Sequence, residues 1–237
     1  MSLIRVGVLR GGISDEYEIS LKTGEEVLLH LPKDIYKPVD IFIGRDGVWH
    51  VNGLARQPDE ITRFVDVVFN ALHGQYGEDG KVQQVLEAHK IPYTGSQIRA
   101  SAIGMNKTLA KEIVKKLGVK VPYHQFITRE EYSTANAADL FRSILLPVVI
   151  KLPDGGSSLG ASFAKTPKEL WEGIAGALRY GDTVMLEQHI RGKEATVGVV
   201  DEFRGSGHYS LLPIEIVRAD PDSIWGYEER YNGEICF

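Results

Sequence analysis

Only one cysteine, Cys236, occurs in the 237 residues. That excludes an intrachain disulfide and a zinc site built from several thiolates, and it is compatible with a reducing compartment. Neither sign of charge dominates. Lys and Arg number 27 against 32 Asp and Glu, for a formal net charge of −5. No basic excess announces nucleic acid or an anionic membrane surface. No apolar run is long enough to span a bilayer. The opening Met1-Ser2-Leu3-Ile4-Arg5-Val6 enters a short strand pattern and lacks a signal-peptide pattern, so a cytoplasmic setting is expected. Low-complexity segments and convincing repeats are also missing. What is present is ordinary globular composition, 43% hydrophobic and 25% charged. It suffices for one large or two small domains with a sizeable core.

The most informative stretch is Lys151-Leu152-Pro153-Asp154-Gly155-Gly156-Ser157-Ser158-Leu159-Gly160. It follows the apolar run Leu146-Pro147-Val148-Val149-Ile150, which reads as a buried strand. A strand-end Lys places a positive charge beyond the strand, and glycines let backbone N–H groups approach an anion closely. Pro-Asp-Gly-Gly is also strong chemistry for a plain surface turn. The Walker pattern is excluded because the Lys precedes the glycines. Gly156-Ser157-Ser158-Leu159-Gly160 fits the G-x-S-x-G nucleophile elbow of serine hydrolases, which would make Ser158 the nucleophile. That elbow needs a helix directly after the Ser. Here Ala161-Ser162-Phe163-Ala164-Lys165 alternates like a strand. A helix starts only at Thr166-Pro167-Lys168-Glu169, with a capping box and Pro at the first helical position.

In chain order, strands are expected at Ile4–Leu9, Pro38–Ile43 and Val65–Leu72, and helices at Glu18–Leu31 and Asp79–His89. Asp46-Gly47 makes a hairpin turn into Val48–Val51. This alternation predicts a parallel sheet with helices on both sides, whose ligands bind beyond the carboxyl ends of the strands. A boundary is expected near Gly95–Met105, where small and polar residues dominate. A helix follows at Lys107–Leu117, with Leu109, Ile113 and Leu117 on one stripe and Gly118 ending it. Strands at Tyr123–Ile127, Leu146–Lys151, up to Lys165 and at Val184–Glu187, with a helix from Pro167 to about Leu178, give an α+β pattern. Further strand patterns run at Glu194–Val200 and Tyr209–Val217. No closing helix follows, and the chain reads as cut short.

Several residues are candidates for chemistry. His73 ends an apolar strand inside a Gly-rich loop, and Glu16 follows the first strand's turn in the same layer. Each has a plainer reading, as a structural His and as a solvated or helix-start carboxylate. Lys107 begins a helix, where most lysines merely solvate a face. Glu187 and Glu194 flank Gln188-His189-Ile190-Arg191-Gly192-Lys193. Arg230 and Tyr231 lie in an aromatic-rich loop that suits a lid or an ordinary exposed loop.

Taken in order, these fragments resemble the D-alanine–D-alanine ligase family of the ATP-grasp superfamily. The resemblance rests on Leu9–Leu21 (Leu-Arg-Gly-Gly-Ile-Ser-Asp-Glu-Tyr-Glu-Ile-Ser-Leu), Ala71-Leu72-His73-Gly74, Gly77-Glu78-Asp79-Gly80 and Pro92-Tyr93-Thr94-Gly95-Ser96. It continues through Asn106-Lys107, Val149-Ile150-Lys151, Gly156–Gly160, Glu187 and Gly192-Lys193-Glu194. Tyr17 departs from it, since the family commonly has Arg there, and Arg230 stands where a Lys is usual.

The resemblance implies an α/β and α+β fold. A doubly wound parallel sheet (pre-ATP-grasp) spans 1–98, a small ATP-grasp subdomain with the Gly/Ser loop 99–186, and the incomplete beginning of the large subdomain 187–237, truncated at its C-terminal end. ATP would lie between the last two. Lys107 and Lys151 would bind its phosphates, and Glu187 and the backbone near Gln188 and Ile190 would read adenine. Glu194 would hold the ribose, and the Ser157, Ser158 loop would close over the phosphates. Glu16 would bind the ammonium of the first D-alanine and bond with Ser157 and Tyr231, with His73 near that substrate's carboxylate. Arg230 would take the place of the usual Lys.

The implied reaction joins two D-alanines through an acyl phosphate for peptidoglycan precursor synthesis. ATP and Mg2+ (or Mn2+) are the implied cofactors, and D-alanine and ATP the partners. Neither nucleic acid nor membrane is implied, and a homodimer is allowed. D-lactate or D-serine remains an alternative second substrate. A non-catalytic nucleotide-binding fragment and, less favoured, a serine hydrolase using Ser158 also stay open. The family's metal-binding Asp, Glu and Asn lie downstream of the position matching Phe237, so no metal ligand is expected in this chain. Steady turnover is therefore not expected of the 237 residues alone. A coupled phosphate-release assay with ATP, Mg2+ and D-alanine is expected to stay at background; sustained release would refute that.

Overall fold

The computed structural model describes residues 2–217 apart from 135–136, 155, 157–159 and 206. The chain divides into two compact units, Met1–Val121 with Pro153–Ser157, and Pro122–Leu152 with Ser158–Phe237.

The first unit contains β1 (Ile4–Gly11), α1 (Tyr17–His30), β2 (Tyr36–Ile43), β3 (Trp49–Val51) and β4 (Leu54–Arg56). After a 3-10 turn at Pro58–Arg63 come β5 (Val67–Asn70), α2 (Lys81–Ala88), α3 (Ile98–Met105) and α4 (Lys107–Lys116). The sheet order is β4-β3-β2-β1-β5. β1 pairs parallel with both β2 and β5, whereas β3 and β4 are antiparallel. The expected parallel sheet is thus the centre of a mixed one, because the Asp46-Gly47 turn folds β3 straight back on β2.

Side chains alternate across a strand, so β1 serves two cores. Val6 and Val8 pack with Val27 and Leu28 of α1 and with Leu31, which caps it. On the other face Leu9 joins Ile41, Val68, Val82 and Leu86, the last two from α2. Each such fully buried side chain contributes roughly 1.5–3 kcal/mol. Arg10, on the α1 side, clamps Asp40 of β2 through Nε and Nη2 at 2.7 and 2.8 Å.

Some boundaries differ from expectation. β5 is shorter than Val65–Leu72, since both end residues are buried in the core but leave the ladder. The region around Gly95–Met105 is helical from Ile98 onward. The stripe on α4 exists, yet Leu109, Ile113 and Leu117 are 51%, 39% and 76% exposed, so it supplies no core. Gly118 does end this helix, at φ +83°.

The second unit contains β6 (His124–Thr128), α5 (Arg129–Thr134), α6 (Ala137–Arg142), β7 (Val148–Lys151), β8 (Ser162–Ala164), α7 (Pro167–Ala177) and β9 (Thr183–Gln188). These strands form an antiparallel sheet, β6-β9-β7-β8. Leu170, Ile174 and Ala177 of α7 cover Val148, Ile150, Ala164, Val184 and Leu186. The expected capping box starts α7: Thr166 Oγ1 accepts from Glu169 N–H at 3.2 Å, and Glu169 Oε2 accepts from Thr166 N–H at 3.1 Å. The run Glu194–Val200 is not one strand. It breaks into β10 (Glu194–Thr196) and β11 (Val199–Asp201), which pair with β13 (Ile214–Ile216) and β12 (His208–Ser210), respectively.

Gly7 is tightly packed within the first sheet. A Cβ there would stand 2.6 Å from Ile41 Cδ1 and 2.7 Å from Val65 Cγ1. Gly7→Ala is expected to destabilise the protein by about 1–3 kcal/mol through overpacking, read as a lower urea midpoint. An unchanged midpoint would show that the core yields there.

Candidate functional site

In the first unit, β1 and β5 run parallel and deliver their following loops to the same sheet edge. Ser20, 0% exposed on α1, ties these ends together. Its Oγ accepts from Gly11 N–H at 2.9 Å and donates to the Ala71 carbonyl at 2.8 Å. Ser14 repeats the arrangement one step outward, donating to the His73 carbonyl at 2.7 Å and accepting from Glu16 N–H at 3.2 Å. Glu16 is the N-cap residue of α1 and is only 6% exposed. Its carboxylate therefore lies by the positive end of a helix.

Two glycines press on that carboxylate. A Cβ on Gly74, at φ +68°, would stand 2.2 Å from Glu16 Oε2, and one on Gly156 3.2 Å from the same oxygen. Only glycine permits this approach at Gly74. Thr23 Oγ1 and His73 Nε2 are hydrogen-bonded at 2.9 Å. The expected grouping of Glu16 with the His73 loop is thus present, and Gly156 from the Gly/Ser stretch joins it.

The preceding part of that stretch docks on the start of α4. Asn106 caps the helix by accepting from Leu109 N–H at 2.9 Å and donates from Nδ2 to Asp154 Oδ1 at 2.7 Å. Lys107 N–H donates to the Pro153 carbonyl at 2.9 Å. This places the Lys107 backbone beside the loop.

In the second unit, β7 and β9 place Val149 opposite Glu187 and Lys151 opposite Met185. Lys151 and Glu187 are therefore diagonal neighbours on the face away from α7, within reach of long side chains. Lys151 Nζ and Glu187 Oε1 form an ion pair, with side chains 24% and 10% exposed. His124 and Phe126 of β6 flank it on the same face by register. Gln188 N–H is taken by the Tyr123 carbonyl at 2.8 Å. His189 packs its ring on Phe163, with centroids 4.7 Å apart. Ile190 is 58% exposed, and Glu194 is exposed on β10.

Ser157, Ser158, Arg230 and Tyr231 lie outside the described residues. The loop holding the two serines runs from β7 to an antiparallel strand, β8, and the next helix begins at Pro167. Among the described residues, β7 is followed by β8 and not by a helix, unlike the strand–turn–helix frame of a nucleophile elbow. Ser14, Ser20 and Thr23, which build the Glu16–His73 cluster, drew no individual role from the sequence. Their short spacing after the first strand, at positions 14, 20 and 23, was the only signal.

Known proteins resemble the chain over most of its length. A family model described as "D-ala D-ala ligase C-terminus" matches residues 113–236, and one described as "D-ala D-ala ligase N-terminus" matches residues 52–96. A D-alanine–D-alanine ligase of Geobacter sulfurreducens is 39% identical over 228 residues, covering 96% of this chain and 65% of that protein. One of Moorella thermoacetica is 38% identical over 232 residues, covering 96% and 70%. The solved D-alanine-D-alanine ligase of Coxiella burnetii superposes with a TM-score of 0.74 at 27% identity, over 90% of this chain and 71% of that one. The chain thus spans about two thirds of the length of these proteins, and less than that for the first.

Asp79 anchors the far end of the His73 loop. Burial pushes its carboxyl up, but hydrogen bonds from the Tyr76 backbone and from the Lys81 side chain and backbone, with the Lys81 charge, outweigh it and hold it below its ordinary value. A lowered folded pKa gives stability that is present above the unfolded value and lost as pH falls through the folded one. Asp79→Asn is expected to lower the urea midpoint at neutral pH, with the gap closing as pH falls below the ordinary carboxylate range. A gap that stays constant across that range would contradict the assignment.

Proposed function

Since the chain belongs to the D-alanine–D-alanine ligase family, we propose that it serves the ATP-dependent joining of two D-alanines, a step supplying peptidoglycan precursors in the cytoplasm. The observation that supports this most is the buried Glu16 carboxylate, with Gly74 and Gly156 closing on one of its oxygens. A largely desolvated carboxylate approached closely by two glycines suits a small ammonium ion. Glu16 would take the ammonium of the first D-alanine, with His73 near its carboxylate. Lys107 and Lys151 would bind the ATP phosphates. Glu187 and the backbone near Ile190 would read the adenine. A contact from Gln188 would run through its carbonyl, because its N–H is already given to Tyr123. Glu194 would hold the ribose. Ser157, Ser158, Arg230 and Tyr231 complete the proposed set.

The chemistry is carboxylate activation. A carboxylate oxygen of the first D-alanine attacks the γ-phosphorus and ADP leaves, giving an acyl phosphate. The amine of the second D-alanine then attacks the acyl carbon, loses a proton and expels phosphate. Positioning and charge neutralisation carry such a transfer, which suits lysines and backbone N–H groups better than a protein nucleophile. The family also implies a divalent cation. Among the described residues no cluster of three or more His, Cys, Asp or Glu side chains is placed to hold one. None of the described residues is therefore assigned to that ion. No helix among them is long and apolar enough to cross a membrane.

Calorimetry tests the two halves of the proposal separately. Lys151→Ala is expected to weaken binding of a non-hydrolysable ATP analogue by at least about tenfold, a loss of ~1.4 kcal/mol. Glu16→Gln is expected to abolish D-alanine binding while sparing the nucleotide. Because Lys151 also pairs with Glu187, the thermal midpoint is recorded alongside. Wild-type affinity in either folded variant would remove the role assigned to that residue.

A further inference from the structure

We infer that Gln83 is a positioning residue for the Glu16–His73 site, acting through the carbonyl oxygen of Gly77. The inference rests on the reading of that site as the one for the first D-alanine.

Gln83 lies on the buried face of α2, 3% exposed, beside Val82 and Leu86, which are both 0% exposed. Its Nε2 donates to the Gly77 carbonyl at 2.8 Å. Its Oε1 is buried and meets no hydrogen-bond partner among the described residues. A buried acceptor left unsatisfied is destabilising, and an apolar side chain of the same volume would avoid that penalty. Stability alone therefore does not explain an amide at this position. The contact with Gly77 does.

The Gly77 carbonyl is a junction. It also accepts from Asn70 Nδ2 at 2.8 Å, and Asn70 Oδ1 accepts from Leu72 N–H at 3.2 Å. Asn70 ends β5, so one oxygen is held from the strand end and from the helix that follows the loop. Gly77 is pressed onto the strand end, since a Cβ there would stand 2.4 Å from Leu72 Cβ. From Gly77 the path to the carboxylate is short. The next residue, Glu78, donates its N–H to the Gly74 carbonyl at 2.9 Å, and its Oε2 accepts from Gly74 N–H at 2.8 Å. Gly74 is the residue against Glu16 Oε2. Gln83 touches neither Glu16 nor His73, yet one loop turn connects it to both.

The loop also carries strain. Tyr76 sits at φ +74°, a left-handed conformation that L-residues adopt at a cost. It is held there by packing against the sheet core and by Val82 N–H on its carbonyl at 3.0 Å. A strained residue persists where its surroundings over-determine it, and such residues cluster at binding sites. Two amides on the neighbouring carbonyl, Gln83 buried and Asn70 half-buried, supply part of that constraint.

Gln83→Met in the 237-residue chain separates positioning from structural support. The thermal midpoint is expected to stay level or rise, because the unsatisfied oxygen is removed. Amide hydrogen exchange at Gly74 and Glu78 is expected to accelerate by at least about tenfold, without change across α2, and D-alanine affinity to fall by about tenfold. Gln83→Leu replaces it if the Met variant does not fold. Unchanged exchange at Gly74 and Glu78 overturns the inference, as does a fall in midpoint accompanied by faster exchange throughout α2. Glu16→Gln is run in parallel. If it leaves D-alanine binding intact, the substrate reading fails while the exchange measurement still decides whether Gln83 orders the loop. If it abolishes binding and Gln83→Met leaves affinity intact, the positioning role alone fails.

Discussion

The hydroxyl of Ser20 is the contact on which the first unit's site depends. It is fully buried and uses both of its capacities, accepting from Gly11 N–H and donating to the Ala71 carbonyl. Three things meet there: the end of β1, the residue after β5, and the first turn of α1. Parallel strands give their following loops no direct link to one another, because the ladder ends where the loops begin. A side chain from the intervening helix has to supply it. Ser14 then repeats the link to His73, and Glu16 takes its place between the two loops. Losing either partner of such a bond leaves a buried polar group unsatisfied, at roughly 1–3 kcal/mol.

The second unit solves a different problem. It sets a cation and a carboxylate side by side in a largely desolvated setting. Antiparallel register does this by placing Lys151 and Glu187 on adjacent strands, one diagonal step apart, on the face that α7 does not cover. Breaking a buried pair of this kind is far more costly than never having buried it. The pairing thus offsets the cost of burying two charged groups near the strand ends.

Much of this was legible in the residues because it is local. Thr166-Pro167-Lys168-Glu169 announces a capped helix, Asp46-Gly47 a hairpin and Gly118 a helix end, since each depends on neighbours three or four positions away. The strand after Gly160 disfavoured a nucleophilic Ser158 by the same local logic. Other features escaped because they are decided by what packs against them. α3 lies in a stretch of small and polar residues whose helicity draws no support from an apolar stripe. α4 has a clean apolar stripe and yet stays exposed. Val65 and Leu72 look like strand and are core residues just outside the ladder. Gln83 reads as an ordinary polar position on an amphipathic helix, and only its neighbours reveal it as buried and half-satisfied.

The sequence by itself determined the ordered motifs, the family they point to, and the strand ends at which Glu16, His73 and Lys151 would stand. These follow from short-range propensities and from residue order, which do not require knowing which strands are neighbours. Tertiary structure alone decided that β1 lies between β2 and β5, that Gly74 and Gly156 close on one carboxylate oxygen, and that Lys151 faces Glu187. It also decided that Gly77 is held by two amides from different elements. Those are relations between residues tens of positions apart, and they are set by sheet order, register and the volume a Cβ would occupy.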